Sequence, residues 1–168
     1  MEFVQMIILG GKPKMQLRKA TIEDAAPLAL LLREIGWFEA FKSESVDDSA
    51  RRVAAELELC LADGSHSVYV AQTDDRIIIG YVSVHWIPYL FMSGPEGYVS
   101  ELFIRNGVRG EGVGTQLLQV VRVEARSRGC SRLALTNLRY RESYQRQFYT
   151  KAGWTERNDA ARFIYPMD

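Results

Sequence analysis

Tyr98-Val99-Ser100-Glu101-Leu102-Phe103-Ile104, then Arg105-Asn106-Gly107-Val108-Arg109-Gly110-Glu111-Gly112-Val113-Gly114, then Thr115 to Arg128, reads as strand, tight turn and helix. The first seven residues alternate and carry aromatic and branched side chains, which suit a pleated strand. The glycine-rich segment breaks that pattern. From Thr115 onward the chain is periodic at helical spacing, and Val113, Leu117, Val121 and Ala125 share one face.

Glycines at 110, 112 and 114 let backbone approach a ligand closely, and the free N–H groups of the helix start point back at the same spot. The helix dipole places about half a positive charge there, Arg109 adds a full one, and each charge-assisted hydrogen bond to a phosphate oxygen contributes about 1.5–3 kcal/mol. The segment is therefore read as an anion cradle. It is not a P-loop, which needs Lys and then Ser or Thr after its last glycine, whereas Thr115 and Gln116 follow Gly114. A dinucleotide fingerprint would open the domain and place an acidic residue about 20 positions on. Here the segment lies two-thirds of the way down the chain, and that position falls among Gly129 to Arg132.

Arg109-Gly110-Glu111-Gly112-Val113-Gly114 resembles the R-x-x-G-x-G acyl-CoA pyrophosphate loop of the GNAT superfamily of N-acetyltransferases. Ser100 to Ile104 is similar to that family's central strand, and Phe148-Tyr149-Thr150-Lys151-Ala152-Gly153-Trp154 is similar to its F-Y-x-x-x-G-F segment. The order of elements fits from about Met15 to Arg157, but only Tyr98 to Trp154 carries specific motifs. The resemblance implies acetyl-CoA as co-substrate. It also implies cofactor contacts from Leu102, Phe103, Ile104, Arg109, Gly110, Glu111, Gly112, Val113, Gly114 and Thr115. The sequence departs from the family at Glu142, where many members carry Asn, so Asn137 is the alternative contact, with Tyr144 near it; Asn106 stands where Pro is frequent.

The chain has 168 residues, 47% hydrophobic and 25% charged, enough for one domain with a continuous core. Lys plus Arg and Asp plus Glu balance at 21 each, so no bulk field draws it to nucleic acid or an anionic membrane. Cys60 and Cys130 form no C-x-x-C pattern and read as core thiols, and His66 and His85 lack ligand-spaced companions, so no metal is expected. Phe3 to Leu9 is too short to span a bilayer. A reduced, cytoplasmic compartment is expected.

Residues 1–14 read as a leader, disordered or an extra strand, and residues 15–168 as a single domain. Met15 to Thr21 begins that domain as a strand. Thr21-Ile22-Glu23-Asp24 is a capping-box pattern before a helix that ends near Gly36. Trp37 to Lys42 follows as an aromatic loop, and Ser45-x-x-Asp48 caps a second helix with Val46, Ala50, Val53, Leu57 and Cys60 in one stripe. Ser67 to Thr73 and Arg76 to Trp86 form a hairpin, with Pro88 to Gly97 a loop. After the cradle helix come a strand at Arg132 to Asn137, a helix at Arg141 to Ala152 packing through Tyr144, Phe148 and Ala152, and a final strand at Arg162 to Met167. The fold class is α/β of the α+β type: a mixed, mostly antiparallel sheet of six to seven strands with helices on both faces. The resemblance adds a splayed central strand pair that admits the pantetheine arm.

An amine of pKa ~10.4 is a cation at neutral pH, and making it nucleophilic costs about 4–5 kcal/mol. Glu101, the one acid on the central strand just before the loop, is the candidate base, with an ion-paired structural glutamate the equal alternative. Tyr149 resembles the tyrosine that assists the leaving thiolate across much of the family, and Tyr144 is the rival donor, with core packing on Phe148 as its other reading. Trp37, Phe38 and Trp86 are candidates to hold an alkyl or aryl amine, and they suit core or a homodimer surface equally well. Two functions follow: an acetyl-CoA-dependent N-acetyltransferase acting by direct attack on the primary amine of a small molecule or peptide, or a non-catalytic acyl-CoA sensor.

Overall fold

A computed structural model describes residues 5–7 and 15–167. It divides into two compact units, Met1–Leu135 and Thr136–Asp168.

The first unit is a six-stranded sheet in sequence order: β1 (Gln5–Ile7), β2 (Met15–Lys19), β3 (His66–Thr73), β4 (Ile78–Ile87), β5 (Glu96–Ile104) and β6 (Arg132–Leu135). Neighbours are antiparallel except β5 and β6, which are parallel. β1 falls within residues 1–14, of which 1–4 and 8–14 lie outside the described residues. β4 is buried on both faces, which explains its near-continuous apolar run.

Helices cover both faces. α1 (Ala25–Ile35) and α3 (Val46–Leu61) pack on one side, where Leu28, Leu31, Leu32 and Leu57 meet Val68, Val70 and Tyr81. The capping box at Thr21 and Asp24 is present, Asp24 also takes two bonds from Arg18 at 2.6 and 2.7 Å, and Gly36 closes α1 at φ 70°. Ser45 accepts the Asp48 N–H at the start of α3 as its cap. Between them Trp37 to Lys42 is not simply a loop, because Glu39–Ser43 forms the short helix α2.

The other face carries α4 (Val113–Ser127), whose Val113, Leu117, Val121 and Ala125 are all buried. It starts two residues earlier than the periodicity predicts, since Gly114 lies within its first turn. β5 also starts early. Gly97 sits inside the strand because a Cβ there would fall 2.5 Å from Leu133 and 2.7 Å from Trp86, so it marks close packing and not a loop.

Glu124 ties α4 to the sheet. Its carboxylate accepts from Ser67 Oγ at 2.9 Å, Tyr69 Oη at 2.8 Å and both Nε and Nη2 of Arg128. Burial alone would raise its pKa, but these donors outweigh burial and hold it below the usual carboxylate range.

The second unit holds two short helices, α5 (Glu142–Gln145) and α6 (Phe148–Lys151), and not one continuous helix, because Gln147 adopts the left-handed conformation at φ 57°. Arg162 to Met167 is not a strand; it is exposed and without regular structure, and Pro166 removes a ladder donor.

Because the folded pKa of Glu124 is depressed, its stabilisation is present above the unfolded carboxylate pKa of ~4.3 and is lost as pH falls through the folded value. Glu124→Gln is expected to lower stability by about 3 kcal/mol near neutral pH, with the deficit against wild type narrowing as pH falls below ~4.3 and through the depressed folded value. Chemical denaturation at pH 7 and pH 3.5 checks this; an equal deficit at both would assign the loss to packing.

Candidate active site

The chain leaves β5 at Ile104, makes a 3₁₀ turn over Asn106–Val108 and enters α4 through Arg109 to Gly112. Gly110 and Gly112 have φ of 84° and 85°, a region that side chains with a Cβ enter at a cost of about 1–2 kcal/mol. A Cβ built at either meets nothing within 4 Å, so both face open space. Gly112 is the N-cap of α4, no side chain caps the helix, and its first turn has no acidic residue. The N–H groups of Val113, Gly114 and Thr115 precede the first internal bond, Gln116 N–H to Gly112 at 3.0 Å. Beside them the Arg109 Nε donates to the Ile104 carbonyl at 3.3 Å, and its guanidinium lies 5.5 Å from the Trp37 ring centre. Space, orphan donors and a cation fit a pyrophosphate.

A second feature adjoins it. β5 pairs with β4 from Glu96 to Ile104 except at Ser100, but with β6 only from Glu96↔Arg132 to Val99↔Leu135. Among the described residues no strand pairs the other edge of Ser100 to Ile104. Alternation against β4 turns the backbone groups of Leu102 and Ile104 to that edge and those of Phe103 to β4; the Ile104 carbonyl takes Arg109 Nε, and the remaining groups would pair with an extended amide-bearing ligand.

The bulge between β4 and β5 decides where Glu101 points. Val84 pairs with Val99 and the neighbouring Ser83 with Glu101, so Ser100 is the extra residue. In unbroken alternation Glu101 would share the α4 face with Val99; the bulge turns it to the α1 and α3 face, beside Tyr81 and Ser83. There it borders a cavity of about 240 Å³. Glu101 stays exposed to that cavity, yet the protein around its carboxyl still raises its pKa above the usual value by desolvation; a hydrogen bond from Tyr81 opposes this, and the nearby Glu56 charge adds to it. A carboxyl tuned upward while still bordering an open cavity suits a general base.

A family model for the acetyltransferase (GNAT) family matches residues 31–154. The chain belongs to that family.

Solved GNAT-fold structures agree with the architecture. A transcriptional regulator from Bacillus halodurans C-125 is 22% identical, with 90% of this chain and 99% of that one covered and a TM-score of 0.76. An aminoglycoside acetyltransferase from an uncultured soil metagenomic sample is 18% identical, with 92% and 97% covered and a TM-score of 0.72. Glucosamine-6-phosphate N-acetyltransferase from Arabidopsis thaliana is 19% identical, with 90% and 99% covered and a TM-score of 0.69. No curated protein matches the sequence.

In the second unit Tyr149 is half-buried, its ring against Phe148 and Trp154, and burial pushes its hydroxyl up to about 12. The Tyr144 hydroxyl donates to Glu156 at 2.9 Å. Asn137 accepts from Ser143 Oγ at 3.1 Å, and its Nδ2 is buried with no partner, a donor that a bound amide carbonyl would satisfy.

In the first unit Phe38 borders the cavity, and Trp37 and Phe38 pack edge-on against Phe103. Trp86 does not join them. It is only 6% exposed, its Nε1 donates to Ser67 Oγ at 3.0 Å, and Arg128 stacks on it, all on the α4 face. Its place in the bulged, buried strand overrides its aromatic character. Sequence reasoning missed Tyr81, Glu56 and Cys60 as neighbours of Glu101; the only prior signal was the helical stripe holding Val53, Leu57 and Cys60. Burial raises the Cys60 thiol pKa first, and Glu101 and Glu56 raise it further. A protonated thiol is a poor acyl carrier. Among the described residues no group of three His, Cys, Asp or Glu could hold a metal, and no helix is long and apolar enough to cross a membrane.

Gly112→Ala places a Cβ in the cradle. Coenzyme A affinity, measured by calorimetry, is expected to fall at least tenfold, the equivalent of one charge-assisted bond at ~1.5–3 kcal/mol, with the variant still folding cooperatively. Unchanged affinity in the folded variant would remove the pyrophosphate role.

Proposed function

We propose that the protein is an acetyl-CoA-dependent N-acetyltransferase that acts on a primary amine by direct attack. The observation that carries this reading is the unpaired edge of β5 from Ser100 to Ile104, which leads by chain continuity into the glycine cradle at the start of α4. Arg109, Gly110, Gly112 and the N–H groups of Val113, Gly114 and Thr115 would hold the pyrophosphate, and the β5 edge the pantetheine amides. When bound, acetyl-CoA supplies an acetyl thioester. Two neighbours named above act, by their names, on aminoglycosides and on glucosamine-6-phosphate, and these amine-bearing compounds support the acceptor class.

The acceptor arrives as an ammonium with three protons and leaves as an amide with one. Glu101 takes the first proton, the nitrogen forms its bond to the acetyl carbon as the carbon–sulfur bond breaks, and of the two protons shed one ends on sulfur. A raised Glu101 pKa brings the base closer to the amine's own, which lessens the cost of that first transfer. The resemblance assigns Tyr149 to the departing sulfur. With its hydroxyl near 12 against a thiol near ~8.5, full transfer from Tyr149 is uphill by about 5 kcal/mol, so its part is a hydrogen bond and not proton donation. Cys60 stays a thiol, which favours direct attack over an acyl-cysteine.

The acid limb of kcat/KM reports the Glu101 carboxylate, so in wild type the rate falls as pH drops through its raised pKa. Glu101→Gln is expected to lose about 10²–10⁴-fold at neutral pH, with the deficit shrinking toward pH 10 as the amine loses its own proton. Tyr149→Phe is expected to lower kcat at all pH values and to leave acetyl-CoA affinity within about twofold. Steady-state profiles from pH 6 to pH 10 test both. Acetyl-CoA binding with no turnover on any amine would leave a sensor domain instead.

A further inference from the structure

The cavity beside Glu101 carries a reading of the acceptor, which rests on the acetyltransferase proposal. Its wall is built from Leu28, Leu32, Phe38, Phe41, Leu57 and Val68. Its charged lining is Glu56 and Glu101, the Glu56 charge acting on Glu101, and Arg52, which is paired with Glu44. The cavity therefore presents net negative charge and no unpaired cation. At about 240 Å³ it falls below the ~300–1,000 Å³ of pockets that take drug-sized ligands.

We infer that the acceptor is a small primary monoamine with an apolar, alkyl or aryl, body, its ammonium held between Glu56 and Glu101 and its body against Phe38, Phe41 and Leu57. One cation relieves the repulsion between the two carboxylates, and the aromatic walls add cation–π and stacking contacts. A second ammonium, as in a polyamine, would have to be desolvated against leucine and phenylalanine. An amino acid would bring its own carboxylate beside two others with Arg52 already occupied. A multi-ring aminoglycoside exceeds the volume. Cys60 lines the same cavity and reports its occupancy without turnover, while Cys130, outside the lining, serves as internal control.

The test uses the full chain. Phenethylamine, hexylamine, spermidine, glycine and sisomicin are each assayed for acetylation, and each for slowing maleimide labelling of Cys60 relative to Cys130, read by peptide mass mapping. The expected result is turnover of the two apolar monoamines at least tenfold above the other three, with Cys60 alone protected by them. Glu56→Gln, at an exposed position of α3, is expected to raise the apolar amine's KM about fivefold with acetyl-CoA affinity unchanged. Preference for spermidine, glycine or sisomicin, or no protection of Cys60 by either apolar amine, overturns the inference and leaves the acetyl-CoA reading in place. Protection of Cys60 without any binding of acetyl-CoA supports the pocket and removes the acetyltransferase reading.

Discussion

Everything in the first unit turns on how β5 is hydrogen-bonded. It is locked to β4 from Glu96 to Ile104 except at Ser100, yet its parallel partner β6 stops after four residues, at Leu135. A sheet interior cannot leave a row of backbone donors and acceptors unmet without cost, so the freed edge from Ser100 to Ile104 is a place where water or an extended ligand must pair. The chain then leaves that edge at Ile104 and turns within a few residues into the orphan N–H groups of α4. Slot and cradle are joined by continuity of one segment, which keeps their spacing insensitive to distant loops.

The bulge at Ser100 adds a second consequence. One surplus residue in β5 changes the parity of all that follows, moving Glu101 from the face packed by α4 to the face with the cavity. The two faces treat glutamate in opposite ways. Glu124, under α4, is surrounded by Ser67, Tyr69 and Arg128 and is held ionised. Glu101 has Tyr81 as its donor and Glu56 as a like charge, and desolvation dominates, so its pKa rises. The same side chain is an anchor on one side of the sheet and a proton acceptor on the other, because its neighbours differ.

Several elements were readable because their signals are local. The Thr21 and Ser45 caps and the helix stop at Gly36 each depend on a few consecutive residues, and each occurs where the pattern points. Elsewhere a distant contact overrides the local cue. Gly97 looked like a loop residue and is a strand residue wedged against Leu133 and Trp86. Trp86 looked like a ligand contact and is core beneath Arg128. Arg141 to Ala152 looked like one helix, and a left-handed Gln147 divides it. Arg162 to Met167 has the composition of a strand but no regular structure, since composition does not supply a sheet edge to pair with.

By itself the sequence determined the glycine cradle, the helix behind it, the strand before it and the resemblance that names the family. Those features rest on φ preference and on periodicity, which residues express through their immediate neighbours. Only the tertiary structure decided which way Glu101 faces, where the β5 edge opens, and that Glu56, Cys60 and Tyr81 share its cavity. Facing depends on a register shift between two strands, and a cavity depends on three elements meeting, so neither is a property of any one stretch of chain.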